Sequence, residues 1–241
     1  MKVAIMQPGY IPWLGLFDLI DSVDKFVFLD DVKLQRNSWD VRNRIKTPQG
    51  ELYLTIPVRR TKGRDKLMIN KALINDSHRW RKKHLKTIEF VYKKAEFFNK
   101  VYPFLVKLIN NNINKLSNFN INIAISIAEK LGINKEFIIS SKLKNVTGKK
   151  DVRLVYICKE IGCDQYVSPQ GAVEYIEAKS PGGEFIKNKI ELFYQNYQHP
   201  VYKQLYGNFL AYMSIIDLLF NCGFIRSLKI IRDGRRIKKG Y

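Results

Sequence analysis

The chain has 241 residues, of which 46% are hydrophobic, and its 42 Lys and Arg against 22 Asp and Glu give a formal net charge of +20. This size suffices for a substantial core in one elaborated domain, and no apolar run reaches the roughly 20 residues that a membrane span needs. Three cysteines without C-x-x-C spacing argue against a disulfide framework or a zinc site, and the N-terminus lacks a signal-peptide pattern, so we expect a cytoplasmic protein.

The first predicted strand ends at a loop that is unusually rich in functional side chains. An apolar run, residues 3–6, stops at a Gln-Pro-Gly-Tyr loop, and Pro12 suits the first position of an apolar helix. In an open parallel sheet, ligands bind beyond the carboxyl ends of strands, next to helix N-termini. We therefore predict that Gln7, Tyr10 and Trp13 contact a ligand.

A second strand and a hairpin follow. Residues 25–29 predict a buried strand that ends at Asp30 and Asp31, so the first thirty residues form a βαβ unit with a right-handed crossover. Residues 42–46 and 51–57 flank a Thr-Pro-Gln-Gly turn, which predicts an antiparallel hairpin.

The rest of the chain is first helical and then alternates. Helical periodicity predicts three helices, from Asp76 or Ser77 to Tyr92, over 97–116 and over 121–131. Strands are then predicted at 137–140, 165–168 and 191–195, with helices at 151–161, 172–178 and 214–223. The pattern indicates a single α/β domain over 1–241, with a mostly parallel Rossmann-like sheet, an antiparallel hairpin and a helical insertion at about 76–132.

The positive charge is concentrated in two segments, residues 59–64 and a basic C-terminal tail over about 226–241. Such charge attracts nucleic acid, anionic lipids or phosphorylated substrates. The alternative is a solvated lysine-rich face, because the chain is also rich in Asn and Ile. A terminal basic run is more often disordered than specific, and we expect this of the tail.

Polar side chains end several of the predicted strands. The nucleotide-binding and hydrolase signatures G-x-G-x-x-G, G-x-x-x-x-G-K-[ST], H-E-x-x-H and G-x-S-x-G are missing. Parallel strands would nevertheless bring Gln7, the acidic pair Asp30 and Asp31, Ser140 with Ser141, and Ser168 to one edge of the sheet. Asp30 could bind a sugar diol or act as a base, or one acid could cap a turn while the other is solvated. No third carboxylate follows at an informative spacing, so we predict no metal site.

Residues 33–46 are rich in arginine and other side chains that donate hydrogen bonds. On a strand, Arg42, Arg44 and Lys46 share one face, whereas Asn43 lies on the other. Arginine pairs bidentately with phosphate or carboxylate. We therefore predict that these four residues bind an anionic substrate such as a nucleotide sugar. A cationic face exposed to solvent would give the same sequence pattern.

Two histidines are candidate general bases, because an imidazole titrates near neutrality. His84 shares a helix face with Trp80, and His199 lies in a loop with many hydrogen-bonding groups. Either could instead be structural or exposed. Asp217 and Asn221 share one face of an apolar helix and should need buried partners.

Three stretches resemble the opening of the WbqC-like family: Gln7-Pro-Gly-Tyr-Ile-Pro-Trp-Leu-Gly15, Phe26-Val-Phe-Leu-Asp-Asp31 and Arg42-Asn-Arg-Ile-Lys46. Similar segments recur at 81–88, 166–171 and 214–223, so the resemblance spans almost the whole chain. Met6 departs from the histidine expected before Gln-Pro, so a catalytic role at that position would be absent here. The resemblance implies a part in bacterial surface-polysaccharide (O-antigen) production, without a defined reaction.

These observations favour a transferase that passes an acyl or aminoacyl group to the amine of a nucleotide-linked amino sugar. His84, Asp30 or His199 would remove the proton. The alternatives are an RNA-binding, tRNA-dependent module that uses its basic surface, and a non-catalytic assembly protein. No required cofactor is evident, and the sequence leaves the donor, the sugar and the oligomeric state undetermined.

Overall fold

A six-stranded sheet forms the centre of the computed structural model, which describes residues 1–59, 66–178 and 180–240. Its strand order is β5-β2-β1-β6-β7-β8. The strands are β1 (Lys2–Met6), β2 (Lys25–Phe28), β5 (Glu136–Ile139), β6 (Gln165–Ser168), β7 (Glu191–Gln195) and β8 (Ile237–Lys239). The first five in this order are parallel and β8 is antiparallel, which confirms the predicted α/β fold with a mostly parallel sheet.

Both faces of the sheet are covered. In β1, Val3 and Ile5 pack into one apolar cluster while Ala4 packs into the other, because successive side chains of a strand point to opposite faces. All three are almost completely buried, as expected for the centre of a parallel sheet.

The predicted hairpin is a separate two-stranded sheet. It consists of β3 (Arg42–Thr47) and β4 (Gly50–Thr55), paired antiparallel so that Arg44 lies opposite Tyr53. The Thr47 hydroxyl donates to the Gly50 carbonyl at 2.9 Å and closes the turn.

Eight α-helices are assigned to the described residues: α1 (Leu14–Asp21), α2 (Trp80–Tyr92), α3 (Phe98–Ile109), α4 (Leu116–Lys130), α5 (Lys150–Glu160), α6 (Val173–Ile176), α7 (Gly183–Lys187) and α8 (Ile215–Asp233). Three of them, α2–α4, follow one another between β4 and β5. None of the helices in the described part of the chain is long and apolar enough to cross a membrane.

Several predicted helix boundaries are wrong: α4 begins at Leu116 instead of residue 121, and α8 continues beyond residue 223 to Asp233. Two further boundaries are explained by local hydrogen bonds. The helix expected to reach Leu116 ends at Ile109, because the Asn111 side chain donates to the Leu108 carbonyl and accepts from the Ile113 N–H. The helix expected from Asp76 or Ser77 begins at Trp80. Asp76 instead accepts a 2.7 Å hydrogen bond from the Trp80 indole.

Helix α8 contains a break at Gly223, where φ is 69° and ψ is 175°. A β-carbon at this position would lie 2.6 Å from the Phe97 ring. Glycine is therefore needed here for its conformation and for its size.

The expectation of a disordered basic tail is wrong for residues 226–240, which form the end of α8 and strand β8. Two arginines explain the order. Arg235 donates to Asp18, a carboxylate with no exposed surface, and both Arg232 and Arg235 donate to Asp21. These bonds lower the pKa of Asp21 to about 2. Of the other basic segment, residues 60–64 lie outside the described part of the chain.

Replacing Arg235 with methionine should lower the free energy of unfolding by about 3–5 kcal/mol, because it leaves the Asp18 charge buried without its cationic partner. Urea denaturation at pH 7 measures this. Arg236→Met is the matched control, since the Arg236 guanidinium is exposed and donates to backbone carbonyls only. Equal unfolding midpoints for the two variants would contradict the role of Arg235.

Candidate active site

The strand order reverses direction between β1 and β6. From β1 the chain proceeds outward to β2 and β5, and it then returns to the other side of β1 to form β6 and β7. In open α/β sheets the crevice outside such a reversal is where ligands bind. Two adjoining cavities lie there. The first measures about 340 Å³ and the second about 260 Å³, and both are lined by Met6, Trp13, Leu16 and Tyr212.

The loop after β1 is held in a strained conformation. Ile11 has φ of +38°, which is rare for a β-branched residue and typically costs about 1–3 kcal/mol. Buried side chains hold its carbonyl: Asn43 donates at 2.9 Å and Ser214 at 2.7 Å. Asn43 also donates to the Tyr10 carbonyl at 3.0 Å. Contacts from distant parts of the chain thus offset the strain.

The sequence suggested that Pro12 begins the helix, but in the structure it does not. Its carbonyl accepts a 2.8 Å hydrogen bond from the Ile215 N–H, and Trp13 forms an antiparallel bridge with Ser214. Trp13 is extended, with φ of −78° and ψ of 171°, and α1 begins at Leu14.

A second buried amide joins this loop to the segment before β3. Asn120 donates to the Pro8 carbonyl at 2.8 Å and to the Asp40 carbonyl at 2.7 Å. The Tyr10 N–H donates to the Trp39 carbonyl at 2.9 Å. These two segments, which both line the first cavity, are therefore held together by hydrogen bonds to their backbones.

Asp40 lines the first cavity and is only 2% exposed. Burial raises its pKa to about 6, although hydrogen bonds from the Ser38 hydroxyl, at 2.6 Å, and from its own N–H act in the opposite direction. A carboxyl group with a pKa near neutrality can both accept and donate a proton, and such groups are concentrated at functional sites.

Two indoles and one arginine complete the first cavity. A β-carbon on Gly15 would lie 2.2 Å from the Trp13 ring, so glycine allows this indole to lie against the start of α1. Trp39 is 53% exposed at the cavity rim. Arg44 donates to both carboxylate oxygens of Glu51, at 2.8 and 2.9 Å, and its charge is therefore already paired.

The WbqC-like protein family model matches residues 7–227. The chain belongs to this family. It is also 37% identical over 224 residues to the uncharacterised protein Rv1507c of Mycobacterium tuberculosis, a match that covers 92% of this chain and 94% of the relative. No solved structure gives a significant match.

Four of the predicted site residues of this WbqC-like chain line the first cavity: Gln7, Trp13, Asn43 and Arg44. Gln7 is exposed there, whereas the amide nitrogen of Asn43 is fully used by the loop carbonyls. Arg44 borders the cavity with its ion pair to Glu51. Of the four, Gln7 and Trp13 are the most available to a bound molecule.

Tyr10 and His84 lie behind the cavity, in the core. Tyr10 has no exposed surface, and its hydroxyl is 2.9 Å from His84 Nδ1. Burial lowers the pKa of His84 to about 4, against the effect of a hydrogen bond to the Thr55 backbone. The expectations that Tyr10 stacks on a substrate and that His84 is the base stay predictions, and in this structure both side chains pair with the protein.

The predicted acidic pair lies at the same edge of the sheet but outside both cavities. Asp30 accepts from the Ser141 hydroxyl at 2.9 Å, and Asp31 accepts from the Ser140 hydroxyl at 2.5 Å and pairs with Arg153. These carboxylates connect the ends of β2 and β5. Within the described residues, no cluster of His, Cys, Asp and Glu could hold a metal ion.

The remaining predicted residues also bind the protein itself. The Lys46 ammonium is buried and donates to the Asn208 carbonyl at 2.6 Å, and the Arg42 guanidinium lies 4.6 Å from the centre of the Tyr53 ring. Ser168 donates to the Pro169 carbonyl. His199 stacks on Trp13 and lines neither cavity, and its Nδ1 lies 2.9 Å from the Pro200 carbonyl. Lys46 and Arg44 therefore do not form an open clamp for a diphosphate.

The buried partners that we expected for Asp217 and Asn221 are present. Asp217 accepts from Tyr92 at 2.8 Å, from Tyr202 at 2.9 Å and from Gln204 at 2.8 Å, and Asn221 donates to its backbone carbonyl. This network holds the loop that leads to Tyr212, a residue of both cavities.

Sequence reasoning missed Asp40, the most chemically distinctive residue of the site. A signal was present, since Asp40 is the only acid between Asp31 and Glu51, in a segment rich in cations, and it follows Ser38 by two residues. Its burial was not predictable, because it depends on the loop over residues 7–12 and on Asn120.

Replacing Asn43 with alanine should lower the free energy of unfolding by about 2–4 kcal/mol, because the buried carbonyls of Tyr10 and Ile11 each lose a donor and only that of Ile11 keeps another, Ser214. Chemical denaturation measures the change. Asn112→Ala, at an exposed position, is the control and should shift stability by less than about 0.5 kcal/mol. If Asn43→Ala is as stable as the control, the amide does not hold the loop.

The raised pKa of Asp40 predicts how stability depends on pH. Between about pH 4 and pH 6 the folded chain keeps a proton that the unfolded chain releases, so this contribution is full below pH 4 and is lost as the pH rises to 6. Asp40→Asn should therefore be more stable than the natural chain at pH 7, by roughly 1–3 kcal/mol. Urea unfolding of both proteins from pH 4 to 8 measures the difference, and a difference that does not grow with pH would contradict the assignment.

Proposed function

We propose that the protein is a cytoplasmic transferase that passes an acyl or aminoacyl group to the amine of an activated, nucleotide-linked amino sugar, in bacterial surface-polysaccharide production. The observation that carries the proposal is Asp40, a buried carboxyl with a pKa of about 6 inside a cavity at the switch point of a parallel sheet. Family membership is consistent with the proposal but names no reaction.

The role of Asp40 follows from the chemistry of amide formation. The sugar amine attacks in its neutral form, after its ammonium has released one proton to solvent. As the nitrogen lone pair forms the C–N bond with the carbonyl carbon of the donor, the Asp40 carboxylate accepts a second proton from that nitrogen, and the protonated carboxyl gives it to the leaving group when the bond between the carbonyl carbon and that group breaks. A pKa close to working pH favours both transfers.

The cavity offers binding groups for the rest of the substrate. The indoles of Trp13 and Trp39 provide flat apolar faces, and the exposed amide of Gln7 can donate and accept hydrogen bonds. The N-terminus of α1 lies beside the cleft, and free N–H groups at helix N-termini favour anions such as phosphate. Arg44 contributes less than its charge suggests, because Glu51 is bound to it.

A second candidate is a tRNA-dependent enzyme that recognises the end of a charged RNA. An exposed aromatic pair supports it: the Trp39 and Tyr53 rings stack at 6.3 Å next to the cavity, and Arg42 and Arg44 lie over their faces. Unpaired bases stack on such surfaces, and the net charge of +20 favours a polyanion.

Asp40→Asn should reduce kcat/KM by about 10²–10⁴-fold, because the amide cannot accept the proton. Mass spectrometry of a panel of nucleotide-linked amino sugars, incubated with acyl and aminoacyl donors, detects the product. In the natural chain, the rate should rise with pH through about 6 as Asp40 ionises. Asp233→Asn, exposed on α8, is the control and should retain full activity. An active, stably folded Asp40→Asn would exclude this base.

Salt distinguishes the two candidate functions. Binding of an RNA that contacts several phosphates should weaken by about 10³-fold or more between 50 and 200 mM salt, whereas binding of a nucleotide sugar should change only a few-fold. Tyr53→Ala should weaken RNA binding but leave nucleotide-sugar binding unchanged, because Tyr53 does not line the cavity. Fluorescence titrations at both salt concentrations measure the two outcomes.

A further inference from the structure

The second cavity differs chemically from the first. It lies at the carboxyl ends of β6 and β7, and none of its lining residues carries a charge. Three amide side chains and three aromatic rings dominate the lining: Gln170, Gln195, Asn196, Trp13, Tyr197 and Tyr212. A charged group in this cavity would have no ionic partner from its walls, so the lining favours a neutral ligand with donors and acceptors.

Gln195 is oriented by a buried network. Its Nε2 donates one proton to the Gly15 carbonyl and the other to Asp18 Oδ2, both at 2.8 Å, and Asp18 is in turn held by Arg235. Both protons of the amide are therefore used. The Oε1 atom is the part of the side chain left for a molecule in the cavity, and it can only accept, so it selects a hydroxyl or N–H group.

Two further amides are available as partners. No described residue forms a hydrogen bond with the side chain of Asn196 or with that of Gln170, and Asn196 is half-buried in the wall. Each amide offers one acceptor and two donors. Together with Gln195, they surround the cavity with groups that suit a ligand carrying several hydroxyls.

The aromatic rings provide the apolar part of the site. Trp13 meets Tyr197 at 81° and Tyr212 at 55°, with ring centroids 5.5 and 5.4 Å apart. Met6 and Leu16 add aliphatic surface. A ring with one C–H-rich face and polar edges matches this combination, because its face can pack on an aromatic ring while its edges reach the amides.

We infer that the second cavity is a subsite for the uncharged pyranose ring of a sugar. Its volume of about 260 Å³ lies just below the usual range for ligand pockets, roughly 300–1,000 Å³, which suits a single ring. The inference rests on the proposed function for what the sugar is attached to. The ring would bind beyond Trp13 and Met6, and a substituent would extend past these shared residues into the cavity that contains Asp40.

Two glycines allow each cavity to be filled separately. Gly171 lines the second cavity, and a β-carbon there would meet no atom within 4 Å. Gly9 lines the first, and its β-carbon would make only ordinary contacts, the nearest at 3.5 Å. Gly171→Leu should therefore obstruct the second cavity, and Gly9→Leu is the matched variant for the first.

The test measures binding of the methyl glycosides of glucose, N-acetylglucosamine and N-acetylgalactosamine by saturation-transfer NMR. At least one should bind to the natural chain. Gly171→Leu should weaken that binding at least 10-fold, and Gly9→Leu should change it less than 2-fold. Asn196→Leu, which keeps the side-chain size but removes the hydrogen bonds, should weaken it 3–10-fold, and this variant decides the matter if Gly171→Leu fails to fold.

Three results would overturn the inference: no glycoside binds, the binding is lost in Gly9→Leu instead, or uridine binds in the second cavity in place of every glycoside. The last result would assign the cavity to a nucleobase. Failure of the proposed function is distinguishable, because absence of acyl transfer with intact glycoside binding leaves a sugar-binding protein whose Asp40 is not a base. If no glycoside binds but acyl transfer is intact, the subsite is rejected and the proposed function stands.

Discussion

The cleft depends on the strained turn at Ile11. A β-branched residue with φ of +38° persists only when its surroundings hold it. Here the surroundings are side chains from β3 and from the start of α8, which donate to the loop carbonyls, while α4 donates to the carbonyls on either side of the first cavity. Segments more than 200 residues apart thus determine one backbone conformation, and without them neither the rim nor the buried carboxyl would be in place.

Asp40 illustrates how a site can cost stability. The residue loses solvation in the folded chain, as its pKa of about 6 indicates, and one hydroxyl and one backbone N–H only partly compensate for this. The structure contains a contrasting case in Asp21, whose pKa falls to about 2 because two arginines bind it. An aspartate therefore stabilises the fold where cations surround it, whereas without cations its pKa rises towards neutrality and it can exchange a proton.

Trp13 links the two cavities. Its indole borders both, and Gly15 leaves room for it against α1. Behind it, the ion pair between Arg235 and Asp18 orients Gln195, so the C-terminal segment supports the second cavity from within the core. The positive charge of the C-terminal tail suggested an anionic partner, but at Arg235 this charge binds a carboxylate inside the protein.

The sequence by itself determined the α/β class, the parallel direction of the main strands and the place of the cleft, because strand periodicity and turn residues are local properties. It also indicated Gln7 and Trp13, which follow directly from the loop after β1. It did not indicate how Tyr10, His84 and the acidic pair are paired in the fold, because their partners are distant in the chain: His84 for Tyr10, and Ser140 and Ser141 for the acids. Only the tertiary structure decided which polar groups were already paired and which, like Asp40, were buried beside a cavity. Burial and pairing depend on contacts between remote segments, and no local pattern contains them.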